Sequence, residues 1–369
     1  MHLIFVANSL SPNTVELYNT LHEHSDVRLE VVYLAKNNDK WIESEFPINH
    51  TTLSGINLSP VPSRINTAFC PGVLFKLLFA RRGAMIIVQG YSNPTNFLLI
   101  LGLALLHKKS PWAFWGERIK NDTSKFGIRR LIKKIVIFAL SKSMRVYAVG
   151  KAGVDRFVEQ GVPLDLLKSL PYTKDFSVYM PSVKTYDNHR LVVTSRLVAS
   201  KNIDLLLKVF IHLSPDYPDW RLDIIGDGPL RTQLEEIVPI HFKNRISFHG
   251  YGNTNLQLKV YENSDIFVLP SAHDGWGMVV PEAMAAGLPV VTTYGVISGR
   301  DLIKNGENGF LVPVGDFEAL KTILTKVMQC KVNLEKMGNN ALRTVSKYSP
   351  DTVTDAFLKD ISVRWNPKR

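Results

Sequence analysis

The chain has 369 residues, a hydrophobic fraction of 45%, two cysteines and a formal net charge of +11. This length predicts two domains of about 170 to 190 residues each. Cys70 and Cys330 are too few for a disulfide framework and lack metal-ligand spacing, which favours a reducing compartment. The apolar start, Leu3 to Ala7, lacks the basic flank of a secretory signal. The longest apolar run, Phe97 to Leu106, is about half the length of a membrane span.

The first half of the chain alternates short β-type runs with helical patterns. Strands are predicted at Leu3–Ala7, Leu29–Leu34, Met85–Val88, Trp112–Trp115 and Arg145–Val149, and helices near 13–24, 70–82, 94–107, 127–142 and 151–160. This alternation predicts parallel strands joined by crossover helices, a doubly wound α/β sheet. Ligands of such sheets bind beyond the carboxyl ends of the strands.

Three of these strand ends carry polar and aromatic residues that suit a hydroxylated acceptor. They are Asn8-Ser9-Leu10-Ser11, Gln89-Gly90-Tyr91-Ser92 and Trp115-Gly116-Glu117-Arg118. A carboxylate at the end of a strand, such as Glu117, can orient or deprotonate an acceptor hydroxyl. The alternative is an ion pair of Glu117 with Arg118 or Lys120.

Much of the positive charge lies in the first half of the chain. It gathers at Arg81-Arg82, His107-Lys108-Lys109, Arg129-Arg130 and Lys133-Lys134. Cations interleaved with Ile128, Leu131, Ile132, Ile135 and Phe138 are typical of an amphipathic helix on anionic lipid, which favours a membrane surface over nucleic acid. A solvated basic face is the alternative. We expect a cytoplasmic protein with peripheral contact to the inner face of the membrane; the oligomeric state is open.

The second half repeats the strand and helix alternation after a stretch without periodicity. We interpret residues 176–189, which include Pro181, as a linker. Strands are then predicted at Arg190–Ser195, Leu222–Ile225, Ile246–His249 and Ile266–Leu269, and a hairpin-like segment at Asn305–Val312. Helices are predicted near 203–213, 316–328, 332–346 and 351–363, and one more helix is predicted to follow the turn at Gly226–Leu230 and to end near Ile237. The Gly226-Asp227-Gly228 turn lacks the third glycine of a dinucleotide fingerprint, so it is weak evidence for NAD.

The stretch from Ile266 to Val291 carries the strongest chemical pattern. A strand ends at Pro270, a loop with Asp274, Gly275 and Gly277 follows, and a helix is predicted to open at Pro281. Pro suits the first helical turn, and Glu282 would then lie beside free backbone N–H groups. Asp274 and Glu282, with seven residues between them, are expected to face one crevice.

This pattern resembles the Glu-x7-Glu signature of the retaining nucleotide-sugar glycosyltransferases of family 4, with Asp in place of the first Glu. Arg196-Leu-x-x-x-Lys201 is close to the family's Gly-x-Arg-Leu-x-x-x-Lys pattern, and Leu170 to Asp175 resembles its Pro-Asn-Gly-x-Asp turn without the Asn-Gly. The resemblance is strong over residues 190–315 and covers order and spacing over 85–175.

The resemblance implies a GT-B fold with two Rossmann-like domains whose parallel sheets face a central cleft. The first domain would span residues 1–175 and bind the acceptor, and the second, residues 190–347, would bind a nucleotide sugar. A final helix in 348–369 would cross back to the first domain. The implied activity is metal-independent, retaining transfer of a hexose from a UDP- or GDP-sugar to a glycan or lipid-linked acceptor, in cell-surface polysaccharide or lipopolysaccharide synthesis, without a cofactor.

By position in the family, Arg196 and Lys201 would neutralise the diphosphate, Asp274 would hold the sugar and Glu282 the ribose. The other residues implied to contact the donor are Gly226, Gly228, Tyr251, Gly275, Trp276, Gly277, Met278 and Val279. Many family members use a His in the first domain; here Glu117 takes that neighbourhood as a candidate catalytic group. The sequence has neither an Asp-x-Asp nor a His-Glu-x-x-His motif, so no metal site is expected. Two alternatives are a nucleotide-sugar epimerase and a non-catalytic binding subunit.

Overall fold

A computed structural model describes residues 1–8, 11–34, 50–52, 56–57, 68–79, 83–106, 111–117 and 127–365. Several residues singled out in the sequence, Ser9, Leu10, Arg118, Lys120 and the clusters at 81–82 and 107–109, lie outside this described part. The chain divides into two compact units, one of residues 1–174 with 350–369 and the other of residues 175–349. Each unit has its own sheet and its own apolar core.

The sheet of the first unit orders its described strands β3-β2-β1-β6-β7-β8-β9, all paired in parallel. The strands of this unit are β1 His2–Ala7, β2 Arg28–Tyr33, β3 His50–Thr52, β4 Ile56–Asn57, β5 Ala68–Phe69, β6 Met85–Gln89, β7 Trp112–Gly116, β8 Arg145–Ala148 and β9 Leu167–Ser169. Strands β4 and β5 form a separate antiparallel pair. The predicted strands of this unit are all present, while β3, β4, β5 and β9 were not predicted.

Helices cover both faces of this sheet. They are α1 Pro12–Glu23, α2 Pro71–Phe79, α3 Pro94–Leu106, α4 Gly127–Leu140 and α5 Lys151–Glu159. Alternate residues of β1 point to opposite faces: Ile4 and Val6 pack with α2, α3 and α4, whereas Phe5 stacks edge-on against Tyr18 of α1. Burial on both faces explains the nearly continuous apolar strands.

The second unit has a sheet whose described strands run β12-β11-β10-β13-β14-β15, all in parallel. The elements are β10 Arg190–Thr194, β11 Arg221–Ile225, β12 Ile246–Gly250, β13 Ile266–Leu269, β14 Val290–Thr293 and β15 Gly309–Val312, with α6 Ile203–Leu213, α7 Arg231–Ile237, α8 Thr254–Glu262, α9 Val279–Ala285, α10 Ile297–Leu302, α11 Phe317–Met328 and α12 Leu334–Val345. The prediction of a hairpin at Asn305–Val312 is wrong. The turn feeds a single strand, β15, which pairs in parallel with β14.

Residues 176–189, interpreted as a linker, pack on the second unit. Phe176 and Tyr179 are buried in its core. The Lys184 ammonium donates to the carbonyls of Tyr261 and Glu262 at 2.6 and 2.8 Å, at the end of α8. The segment lacks periodicity because scattered single side chains, rather than a helical face, anchor it.

The last helix, α13 Pro350–Arg364, belongs to the first unit. The Asp360 carboxylate accepts hydrogen bonds from Arg145 Nε at 2.8 Å and from the Tyr147 hydroxyl at 2.9 Å, both on β8. Burial opposes ionisation, but the bonds from Arg145 and Tyr147 outweigh it and lower the pKa of Asp360. Phe357 packs against Phe5 and Tyr147, so α13 is held by both charge and apolar contact.

Candidate functional site

The loops that follow β10 and β11 interlock through two glycines. A Cβ on Gly226, whose φ is +138°, would lie 1.8 Å from the Ser195 carbonyl oxygen, and one on Gly228 would lie 2.5 Å from that of Leu197. Leu197 N–H donates to the Asp227 carbonyl at 2.8 Å. The glycines therefore permit a close backbone approach that fixes the loop carrying Arg196. The resemblance implies that both glycines contact the donor; in the structure their close neighbours are Ser195 and Leu197 of this loop.

Lys201 and Asp274 form an ion pair. Their loops are tied by the backbone, because Ala272 N–H donates to the Ser200 carbonyl at 2.8 Å. The Lys201 side chain is 12% exposed and that of Asp274 22% exposed, so the pair is shielded yet reachable from solvent. Two residues 73 positions apart, predicted as diphosphate and sugar ligands, thus meet at the carboxyl ends of β10 and β13.

The glycine loop between Asp274 and α9 is folded against the segment that precedes α10. Gly277 has a φ of +80°, and a Cβ there would lie 2.9 Å from Val296. Ser298 Oγ donates to the Gly277 carbonyl at 3.1 Å. Within the described residues, the N–H groups of Gly277, Met278 and Val279 donate to no protein acceptor. They are thus available to an anion.

Glu282 lies at a different place in the helix from the predicted one. Helix α9 begins at Val279, two residues before Pro281, and Glu282 N–H donates to the Met278 carbonyl at 3.1 Å. The helix therefore begins two residues earlier than predicted, while Glu282 remains in its first turn, close in sequence to the free N–H groups of Gly277 to Val279. The residue is 7% exposed, and its Oε2 accepts a hydrogen bond from Gln257 Nε2 at 3.0 Å.

The remaining predicted donor residues lie in loops at the same strand ends. Arg196 is exposed and forms no ion pair within the described part of the chain. Tyr251, which follows β12, is 80% exposed, whereas Trp276 is buried at 3%. Gly275 lies between Asp274 and Trp276 in the loop after β13. The four charged residues predicted to bind the donor are thus in three situations. Lys201 and Asp274 pair with each other, Glu282 has other hydrogen-bond partners, and Arg196 is exposed.

A cavity of about 350 Å³ lies at the carboxyl ends of β1, β6 and β7 in the first unit. Its wall includes Asn8, Gln89, Trp115, Glu117 and Tyr172. The strand ends predicted to suit an acceptor therefore meet in one cavity. Burial and the neighbouring Glu117 carboxylate, to which the hydroxyl is hydrogen-bonded, raise the pKa of Tyr172 well above its usual value. Tyr172 is thus a neutral donor that orients Glu117.

The described residues contain no group of three or more His, Cys, Asp or Glu side chains arranged to hold a metal ion. No described helix combines the length and hydropathy needed to cross a bilayer.

Several residues at these sites were not predicted from the sequence. Tyr172 contacts Glu117, and Tyr179, Gln257 and Tyr261 lie around Glu282. They are single polar residues in a loop, in a short 3₁₀ turn and on a helix, and only Tyr172 lies in a segment with a motif resemblance, Leu170 to Asp175. Only the fold brings them to the carboxylates.

Comparison with known proteins finds a similarity to one enzyme family, mainly in the second unit. The model of the glycosyl transferases group 1 family matches residues 181–344. An uncharacterised glycosyltransferase of Haemophilus influenzae is 34% identical over 240 residues, 64% of this chain and 64% of its own length. A capsular polysaccharide biosynthesis glycosyltransferase of Staphylococcus aureus is 30% identical over 183 residues, 47% of this chain and 48% of its own. Of its most similar curated relatives, the chain covers between 19% and 64% of their own length.

Among solved structures, the Anabaena protein HepE in complex with UDP superposes with a TM-score of 0.75. The match covers 98% of this chain and all of that one, at 16% sequence identity. At this identity the likeness bears on fold alone. It shows that the chain has the GT-B fold, an α/β architecture with two parallel sheets.

Proposed function

We propose that this GT-B protein transfers a sugar from a nucleotide-diphosphate donor to a hydroxyl acceptor; the match of residues 181–344 to the glycosyl transferases group 1 model supports this function. We propose a UDP- or GDP-hexose as donor, retention at the anomeric carbon, and a glycan or lipid-linked acceptor in cell-surface polysaccharide synthesis. The capsular relative and the UDP complex of the structural neighbour support this choice.

The observation that carries the proposal is the pairing of Lys201 with Asp274 beside the unpaired N–H groups of Gly277 to Val279. An ammonium group and N–H donors at one edge of a parallel sheet suit a diphosphate. The carboxylate beside them suits the hydroxyl groups of a sugar. Arg196, exposed on the neighbouring loop, supplies a second cation.

In the proposed reaction the bond between the anomeric carbon and the diphosphate oxygen breaks, and the electron pair leaves with the nucleotide diphosphate. The acceptor oxygen bonds to the anomeric carbon and loses its proton. Lys201 and Arg196 stabilise the charge that develops on the leaving oxygen, which is where fixed cations lower a barrier most. Glu282 holds the ribose. Glu117, oriented by Tyr172 in the first-unit cavity, orients the acceptor hydroxyl or takes its proton.

We expect Lys201→Ala and Glu282→Ala each to lower sugar transfer at least about 100-fold. The donor is chosen by a thermal-shift screen of nucleotide diphosphates followed by assays of the matching nucleotide sugars. Lys208→Ala is a matched control, because Lys208 also forms an ion pair, with Asp204 on the exposed face of α6. Transfer at the wild-type rate in both variants would refute the proposed roles.

The same assays separate the alternatives. An epimerase would convert the donor sugar without any second substrate. A non-catalytic subunit would bind a nucleotide or nothing, and would show no turnover with any acceptor. Either result would refute the proposed transferase activity.

We also propose that the first unit contacts an anionic membrane. Three neighbouring helices expose large apolar side chains: Phe75 on α2 is 74% exposed, Leu105 on α3 is 78% exposed, and Leu131 and Phe138 on α4 are each 57% exposed. Lys134 is exposed between the last two, on the same face of α4. Exposed apolar groups interleaved with cations favour the interface of an anionic bilayer.

Sedimentation with phosphatidylglycerol and with phosphatidylcholine vesicles tests this contact. Arg130→Gln with Lys134→Gln should weaken binding to the anionic vesicles, because each cation near such a surface contributes about 1 kcal/mol. Lys326→Gln with Lys331→Gln removes the same charge from exposed positions of the second unit and should leave binding unchanged. Equal binding by all three proteins would show that α4 is simply a solvated basic face.

A further inference from the structure

A buried chain of hydrogen bonds runs from Glu282 to β10. Gln257 Nε2 donates to Glu282 Oε2 at 3.0 Å and lies 2.9 Å from the Tyr261 hydroxyl, which in turn donates to Thr194 Oγ1 at 3.0 Å. The Tyr179 hydroxyl forms a hydrogen bond to Glu282 from the other direction. Gln257, Tyr261 and Tyr179 are all less than 9% exposed.

The protonation of this group is well defined. Burial, and then the charge of Glu282 with its hydrogen bond, raise the pKa of Tyr179 above its ordinary value. Burial and Glu282 likewise raise the pKa of Tyr261. Both phenols are therefore neutral throughout the physiological range and donate a proton to a hydrogen bond. A buried carboxylate needs such donors, because an ionised group without them is costly to desolvate.

The bonds also fix where the carboxylate points. A carboxylate has about four lone-pair positions, so it can accept from Tyr179 and Gln257 and still accept from two hydroxyl groups. Groups that hold a ligand-binding side chain in one rotamer reduce the ordering that ligand binding requires. The Tyr179–Tyr261 ring pair, with centroids 6.5 Å apart, adds packing against rotation.

From this geometry we propose that Tyr179 and Gln257 are positioning residues that aim Glu282 at the ribose hydroxyl groups of the donor. The inference rests on the proposed function, because that function assigns the ribose to Glu282. Tyr179 lies in the 3₁₀ turn Ser177–Tyr179, just after the boundary between the two units at Lys174. The chain that leaves the first unit therefore contributes directly to the donor site of the second.

The test compares ribonucleotides with deoxyribonucleotides. Dissociation constants for UDP and GDP, and for their 2′-deoxy and 3′-deoxy forms, are measured on the full-length protein by calorimetry. Tyr179→Phe removes one hydroxyl without removing the ring. It should weaken binding of the preferred ribonucleotide about 3- to 10-fold, the scale of one hydrogen bond. It should weaken binding of the corresponding deoxynucleotide less, because the partner of Glu282 is already missing.

Tyr147→Phe is the matched control. It also removes a buried tyrosine hydroxyl bonded to a carboxylate, that of Asp360, but in the first unit. It should lower the thermal midpoint while leaving nucleotide binding unchanged. In transfer assays Tyr179→Phe and Gln257→Leu should raise the KM for the donor more than they lower kcat.

The outcomes are distinguishable. Equal weakening of ribo- and deoxynucleotide binding by Tyr179→Phe, or no weakening of either, would overturn the positioning role while the proposed function stands. Ribonucleotide binding that is unaffected by Glu282→Gln would overturn it as well. Failure of the wild-type protein to bind any nucleotide diphosphate would instead remove the proposed function, and the inference with it.

Discussion

Replacing Gly228 by alanine tests whether the loop after β11 supports the site by packing. The added Cβ would lie 2.5 Å from the Leu197 carbonyl oxygen and 2.8 Å from its carbonyl carbon. Carbon atoms without a bond between them prefer separations of about 3.5 Å or more, so the two loops must separate by about 1 Å. Leu197 cannot easily give way, since its N–H and its carbonyl both bond the Asp227–Leu230 segment, at 2.8 and 3.1 Å.

We expect two effects of this separation. Overpacking should lower the free energy of unfolding by about 1 to 3 kcal/mol, which denaturant titration of the variant and the wild type measures. Displacement of the neighbouring Arg196 by about 1 Å should lower kcat/KM for sugar transfer by a factor on the order of 100. Gly72→Ala on α2 is the control, because a Cβ there meets nothing within 4 Å.

The result also decides between two roles for Gly228. Wild-type stability and activity in Gly228→Ala would refute the interlocking of the loops. Wild-type stability combined with weak nucleotide binding would mean that Gly228 contacts the donor itself, as the family resemblance implies. Loss of both stability and activity is the outcome that the loop packing requires.

Three further predictions concern charge. Asp274→Asn should bind nucleotide diphosphate at least as tightly as the wild type, because it removes a carboxylate that competes for Lys201. The same variant should transfer sugar more slowly than the wild type. Weaker nucleotide binding in calorimetry would contradict the competition. Burial lowers the pKa of Lys184 to about 8 despite nearby Asp265 and Glu262. Between about pH 8 and 10.5 the unfolded chain therefore binds more protons than the folded one. The free energy of unfolding of the wild type, relative to that of Lys184→Met, should rise across this window by up to about 1.4 kcal/mol per pH unit. A difference that stays constant with pH would show that the hydrogen bonds from Lys184 to the carbonyls offset its burial. The folded-state pKa of Asp360 is lowered, so its stabilising effect relative to Asp360→Asn should be full above about pH 5 and should fall as acidification passes below about pH 4. An advantage that does not decrease at all on acidification below about pH 4 in chemical unfolding would contradict it.

The predicted strands could be recognised because burial on both faces makes most of them apolar, whereas β3, β4, β5, β9 and β14 were not predicted. The β13 strand, Ile266–Leu269, has the same bounds in the structure as in the prediction, and the other predicted strands differ by one residue at one or both ends. The supposed hairpin at Asn305 failed for a reason that local pattern cannot show. Asn-Gly signals a turn, but whether the next strand pairs backwards or with a distant partner depends on the rest of the sheet. Here a Cβ on Gly309 would lie 2.2 Å from the carbonyl of Val290, so distant β14 is the partner.

The site was predictable to the extent that its residues follow strands. Lys201 and Asp274 meet because parallel strands end at one edge, so residues just after β10 and β13 become neighbours. The surroundings of Glu282 were not predictable in this way. Gln257 lies on a helix, Thr254–Glu262, whose sequence mixes polar and apolar residues without a clear buried face, and Tyr179 lies in a segment without periodicity. Their roles depend on tertiary packing, which brings isolated polar residues to a buried carboxylate.

The two acids of the signature are held differently, and under the proposed function this difference has a physical meaning. Glu282 is fixed by neutral donors that a ligand does not need to displace, so the ribose end of the site is formed before the donor binds. Asp274 is held by Lys201, a cation that the diphosphate would itself attract. Donor binding therefore has to exchange one ion pair for another at the phosphate end. That exchange frees the Asp274 carboxylate for the sugar hydroxyls when the diphosphate arrives.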